Sequence, residues 1–256
     1  MAWWPFRDRT FLDPEDEQWQ LELWRWFLKR FGDQVNFLTT PLILPTRQYF
    51  PPTVKTGHER AEHIFNCVKR LARMSDWPCR LVAQPERPPL LVGQYVALKP
   101  IKQGPGGTFG FEGDEVMITY DPDAVGEPGK LVAILAHELS HYLLVGLHEE
   151  IPGGEDLHEP ATDVLTVYLG FGVFGAAAAF AFEADMTGWR WSSGGYLSQR
   201  AWLFALGLFL ELRGETVDTV KPFLKQHLLD DLKAAIHYQR RRELVTPLRE
   251  LITFPA

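Results

Sequence analysis

The chain has 256 residues, long enough for one large domain or two small ones and for a full hydrophobic core. Hydrophobic residues make up 46% and charged ones 23%, which excludes a chain disordered throughout, and two cysteines exclude both a disulfide framework and a four-cysteine zinc site. The net charge of −7, from 26 basic and 33 acidic side chains, speaks against a protein built to coat nucleic acid or an anionic membrane, because such proteins carry a basic footprint.

The first residues, Met1-Ala-Trp-Trp-Pro-Phe-Arg-Asp, show no apolar stretch followed by a small-residue cleavage site, so the expectation is a cytoplasmic protein with reduced thiols. Asp13-Pro14 before Glu15, Asp16 and Glu17 predicts an N-cap, a proline in the first turn and a helix running to Lys29-Arg30, with Gly32 just past its end. Its apolar positions Trp19, Leu23, Trp26, Phe27 and Phe31 form a stripe expected to dock on the main body. Residues 37–54 hold four prolines and predict an extended connection, so residues 1–54 read as an N-terminal attachment to a main domain over 55–256.

A second helix is predicted from about His58 to Arg73, with Ala61, Ile64, Phe65, Val68 and Leu71 facing inward. Short strand-like runs follow at Arg80–Ala83, Leu90–Leu98 and Glu115–Tyr120. Between the last two, the glycine-rich Gln103–Gly113 matches neither a phosphate-binding loop nor a dinucleotide fingerprint and reads as a mobile hairpin loop. From Lys130 onward the pattern is helical, with further helices at about 198–213, 217–227 and 229–243, which makes the fold class α+β. Val164–Phe182 is uncharged and reaches the lower edge of membrane-spanning length. Gly170, Gly172 and Gly175 interrupt it, so a buried helix running into an irregular apolar segment is the expectation, with a membrane span over 164–182 the lesser alternative.

The chemistry is concentrated in His137-Glu138-Leu139-Ser140-His141, an HExxH motif inside the strongly apolar run Leu131–Gly146. On a helix, positions i and i+4 share a face, so both imidazoles can reach one ion while Glu138 stands beside them to take a proton from a water on it. Two histidines and a glutamate inside so apolar a helix would be costly without a role. A catalytic zinc needs a third protein ligand and an open position. The metzincin extension would put a glycine and a histidine three and six residues after His141, where Leu144 and Leu147 stand. The other source is a carboxylate in Glu159-Pro160-Ala161-Thr162-Asp163, where Pro160 marks a helix start. Glu159 and Asp163 are four apart on one face, so one can bind the metal while the other accepts a hydrogen bond from a ligating imidazole.

HExxH followed about twenty residues later by Glu-x-x-Ser/Thr-Asp resembles the gluzincin branch of the zinc metallopeptidases, the thermolysin-like enzymes; elsewhere the chain looks like an uncharacterised bacterial family with this motif. The resemblance implies a zincin-like fold, a small mostly antiparallel sheet packed on an active-site helix, and one zinc ion held by His137, His141 and Glu159. It further implies Glu138 as general base and proton shuttle, and Asp163 as the group orienting His137. His158 and Asp163 stay open as alternative third ligands. Glu115–Tyr120 resembles the sheet edge along which zincins bind an extended peptide.

The reaction so implied is peptide-bond hydrolysis, for which Tyr196 is the first candidate to stabilise the oxyanion, before Arg190 and Tyr142. A second reading is a zinc-binding, non-catalytic partner-binding or regulatory module, which the Trp-rich N-terminal helix would serve. Arg240-Arg241-Arg242 reads as a solvated helix end and not as a nucleic-acid site. The charge itself is localised: residues 131–189 contain no Lys or Arg and nine acidic residues, so the remainder carries 26 − 24 = +2.

Overall fold

The computed structural model describes residues 10–31, 37–85, 90–91, 97–98, 106–113, 115–185 and 197–252. In chain order the elements are helices α1 (Pro14–Arg30) and α2 (Gly57–Leu71), strands β1 (Arg80–Ala83), β2 (Leu90–Leu91), β3 (Ala97–Leu98), β4 (Gly107–Glu112) and β5 (Glu115–Tyr120), then helices α3 (Pro128–Gly146), α4 (His158–Thr166), α5 (Gly172–Asp185), α6 (Gln199–Arg213), α7 (Val217–Val220), α8 (Gln226–Arg241) and α9 (Thr246–Arg249). The fold is α+β and dominated by helix. It divides into two compact units, residues 46–146 and residues 1–45 with 147–256.

All the described strands lie in the first unit. β5 is the middle strand of a mixed three-stranded sheet, parallel to β1 and antiparallel to β4, while β2 and β3 form a separate antiparallel pair. Alternation along β5 turns Val116, Ile118 and Tyr120 into the core. α3 packs on β4, β5 and α2, whose Ala61, Ile64, Phe65 and Val68 are buried as helical spacing predicts.

Two expectations change here. Glu115–Tyr120 is paired on both sides, so it cannot be the sheet edge; β4 is an edge strand among the described residues. Most of the stretch read as a mobile loop is β4 itself, where Gly107, Phe109 and Phe111 alternate with Thr108 and Gly110. The physical reason is close approach. A Cβ on Gly107 would stand 2.6 Å from Ile134 Cγ2 and 2.7 Å from the Thr119 carbonyl oxygen, so only a glycine lets this strand lie on α3.

The second unit is helical among the described residues. Asp13 caps α1 by accepting from the Glu15 amide, and Leu23, Trp24, Phe27, Leu28 and Phe31 are buried. Trp24, absent from the expected stripe, is fully buried, whereas Trp19 and Trp26 are half-buried; Trp19 donates its indole N–H to the Pro152 carbonyl. Tyr168 stands among Trp24, Phe27, Phe31 and Phe37, with ring centroids 5.0–5.8 Å away. It belongs to a π-helical turn, Val167–Phe171, that joins α4 to α5. There Gly170 has φ +95°, its carbonyl accepts from the Ile43 amide at 3.0 Å, and a Cβ would fall 2.1 Å from the Pro41 carbonyl oxygen. The turn thus ties the proline-rich connection to the helix, and glycine is required by both conformation and space. Residues 155–178 are long and apolar enough to cross a membrane, and 89% of the most apolar window is buried within the protein, as a core helix would be.

Candidate metal centre

α3 carries the motif. Twelve of its residues are buried, and four of these are polar: His137, Glu138, Ser140 and His141. Ser140 donates its hydroxyl to the Ala136 carbonyl one turn back, a local bond that meets its own need. The two imidazoles face each other, Nε2 to Nε2 at 3.0 Å, with ring planes at 84°. At that separation one ring can donate to the other, or both lone pairs can turn toward one cation. Two nitrogens each about 2.0–2.1 Å from a tetrahedral zinc stand about 3.3 Å apart, so the pair fits a shared ion with little adjustment.

β4 lines the same stripe. Gly107 lies over Ile134 and Glu138, where its added Cβ would be 3.1 Å from Glu138 Oε1. Two residues on, Phe109 lies nearly parallel to the His141 ring, 6.4 Å between centroids, and stacks on Tyr142 at 5.6 Å. The register is consistent with element geometry: two strand residues advance about 6.6 Å, and the four helical residues from Glu138 to Tyr142 about 6 Å. An edge strand therefore runs along the HExxH face with its glycine at the carboxylate and its phenylalanine at the second histidine.

Tyr142 is committed elsewhere. Its hydroxyl donates to the Pro78 carbonyl at 3.1 Å, and its ring meets Trp77 edge-on at 4.8 Å. Burial, with Cys79 nearby, pushes its phenol pKa up. It therefore acts as a wall of this unit. Tyr196 and Arg190, the other oxyanion candidates, lie outside the described residues.

The candidate third ligands belong to the second unit. His158 and Glu159 open α4 and are half-buried, and Asp163 is buried one turn later. One Asp163 oxygen accepts from the Leu197 amide at 2.9 Å, just ahead of α6. Thr162 and Thr166 bond back to the carbonyls of His158 and Thr162, so the buried hydroxyls of α4 have local partners.

Two features of this centre were missed by sequence reasoning: Gly107 against Glu138, and Phe109 against His141. The period-two pattern Gly107-x-Phe109-x-Phe111 carried the signal, masked by the glycines around it. Compared with known protein families, characterised proteins and solved structures, the chain matches none.

Proposed function

We propose that the chain is a zinc-dependent peptidase of the gluzincin type, with a zincin-like arrangement of α3 and β4. The observation that carries this reading is the Nε2 to Nε2 approach of His137 and His141 on a buried helix, with Glu138 between them in sequence and buried beside them. His137 and His141 would hold the ion, and Glu159 is our third ligand. It is preferred to Asp163 because an Asp163 oxygen is already engaged by a backbone amide, and to His158 because a carboxylate completes the common set of two histidines and one carboxylate.

Zinc, when bound, would supply Lewis-acid polarisation of the scissile carbonyl and acidify a water. Glu138 accepts the proton of the attacking water and passes it to the leaving amine. Glu138 is buried, with one carboxylate oxygen beside Gly107 of β4, which limits where that carboxylate can stand. The substrate is a peptide or protein, laid along edge strand β4 by main-chain pairing, a role moved here from Glu115–Tyr120.

Glu138→Gln tests the reading. It should keep zinc, measured by elemental analysis, and lose about 10²–10⁴-fold in turnover of a diverse peptide library. Undiminished hydrolysis would remove Glu138 from the mechanism.

A further inference from the structure

Away from the histidine pair, the 46–146 unit holds a surface cavity of about 360 Å³ lined by Lys55, His63, Asn66, Cys67, Lys69, Arg70 and Ser75. We infer that this cavity binds a small phosphate-class oxyanion, a ligand unrelated to the proposed hydrolysis.

The lining is built by one helix face. His63, Asn66, Cys67 and Arg70 follow the i, i+3, i+4, i+7 spacing of α2, with Lys55 contributed by the segment before the helix and Ser75 by the turn after it. Three permanent cations and a histidine line the cavity, and no carboxylate does. Inside the protein these groups meet carbonyl oxygens and, for Lys69, the Cys79 thiol, and not carboxylates. Arg70 donates to the Tyr49 carbonyl, Lys69 to the Trp77 carbonyl, and His63 Nε2 lies 2.9 Å from the Pro51 carbonyl. None of Lys55, His63, Lys69 and Arg70 forms an ion pair among the described residues. The acidic residues of α2 are Glu59 and Glu62, in its first two turns, and Glu62 pairs with His58 at 3.5 Å.

In a chain of net charge −7, Lys55, Lys69 and Arg70 line one concavity with no carboxylate among its walls, a locally positive spot for a multivalent anion even after the negative end of α2 offsets part of the Lys69 and Arg70 charge. The chemistry selects the class. A guanidinium held at one edge by a carbonyl keeps further N–H donors for a tetrahedral oxyanion, lysine ammonium groups act as point charges, and the Asn66 amide and Ser75 hydroxyl add neutral donors. The volume suits a phosphate or a small phosphate-bearing molecule.

Titration calorimetry of the full chain with inorganic phosphate and with pyrophosphate, at constant ionic strength, tests this, with citrate as the carboxylate counterpart. Saturable one-to-one binding is expected for pyrophosphate, more weakly for phosphate, and more weakly than pyrophosphate for citrate. The double variant Lys55→Gln with Arg70→Gln, both exposed side chains, should weaken pyrophosphate at least about tenfold and leave the ligand-free melting temperature unchanged. Both positions lie outside α3, so the weakening reads this cavity and not the histidine pair. Absence of saturation up to about 10 mM, equal or tighter citrate binding, or unchanged affinity in the double variant would overturn the inference.

Discussion

α6 and α3 each bury twelve residues, and their buried polar groups are handled differently. In α6 the single ionisable member, Glu211, is met by a dedicated partner: Arg240 donates to both carboxylate oxygens at 2.9 and 2.7 Å, while Arg249 donates to the Glu211 carbonyl. The charge is compensated by a fork that matches it, and the group serves to lock α6 against α8. In α3 the buried imidazoles approach each other, and a strand without a side chain at the critical position lies on the neighbouring carboxylate. The imidazole pair is a contact between like groups, chemically unlike the carboxylate–guanidinium fork at Glu211. The contrast separates a buried charge met by a complementary cation from a buried pair of like groups, the pair on which our proposed metal site rests.

The largest expected contrast comes from deleting one member on each side. His141→Ala should lower zinc affinity by at least about a hundredfold, read as metal stoichiometry after dialysis, with little change in metal-free stability. Glu211→Ala should do the reverse, costing about 1–3 kcal/mol in urea unfolding while leaving metal content intact. Equal zinc loss in both variants would erase the distinction.

A smaller effect is expected from the strand. Gly107→Ala places a methyl against Ile134, the Thr119 carbonyl and Glu138. It should destabilise by about 1–3 kcal/mol and depress hydrolysis as the carboxylate is displaced. Gly110→Ala on the same strand meets nothing within 4 Å and should stay within about 0.5 kcal/mol of the parent. If the two glycine variants behaved alike in unfolding and turnover, close packing of β4 on Glu138 would not be what the sequence protects.

These glycines also show what the sequence could carry. α1 was legible because its capping is local: Asp13, Pro14 and an acidic first turn act within a few residues, and the helix begins at Pro14. The HExxH face was legible for the same reason, since i and i+4 on a helix fix the His137–His141 relation without any tertiary information. β4 was not, because what makes Gly107 a strand residue is a helix that follows it by more than twenty positions. Helix α8 begins at Gln226, and the run expected at 217–227 breaks into α7 and a short 3-10 turn at Lys221-Pro222-Phe223, a proline effect on the preceding residues. The kink at Gly170 was signalled by the glycine itself, but its partner, the Pro41 carbonyl, is 129 positions away.

The finest contrast concerns protonation in the helical unit. Tyr238, on α8, is buried, and burial first, then the neighbouring Glu17 carboxylate, push its phenol pKa from 10 up to about 12, against a smaller opposing pull from Arg242 and Arg241. The folded chain therefore holds this proton more tightly than the unfolded chain does. Below pH 10 both states keep it and the shift leaves stability flat. Between pH 10 and about 12 the unfolded state releases it first, so folding weakens as pH rises through that window. Tyr238→Phe should remove this component, leaving a shallower loss of stability across the same window than the parent shows in urea unfolding at a series of pH values. Parallel pH profiles would mean that Tyr238 titrates near its ordinary value and that burial beside Glu17 does not hold its proton.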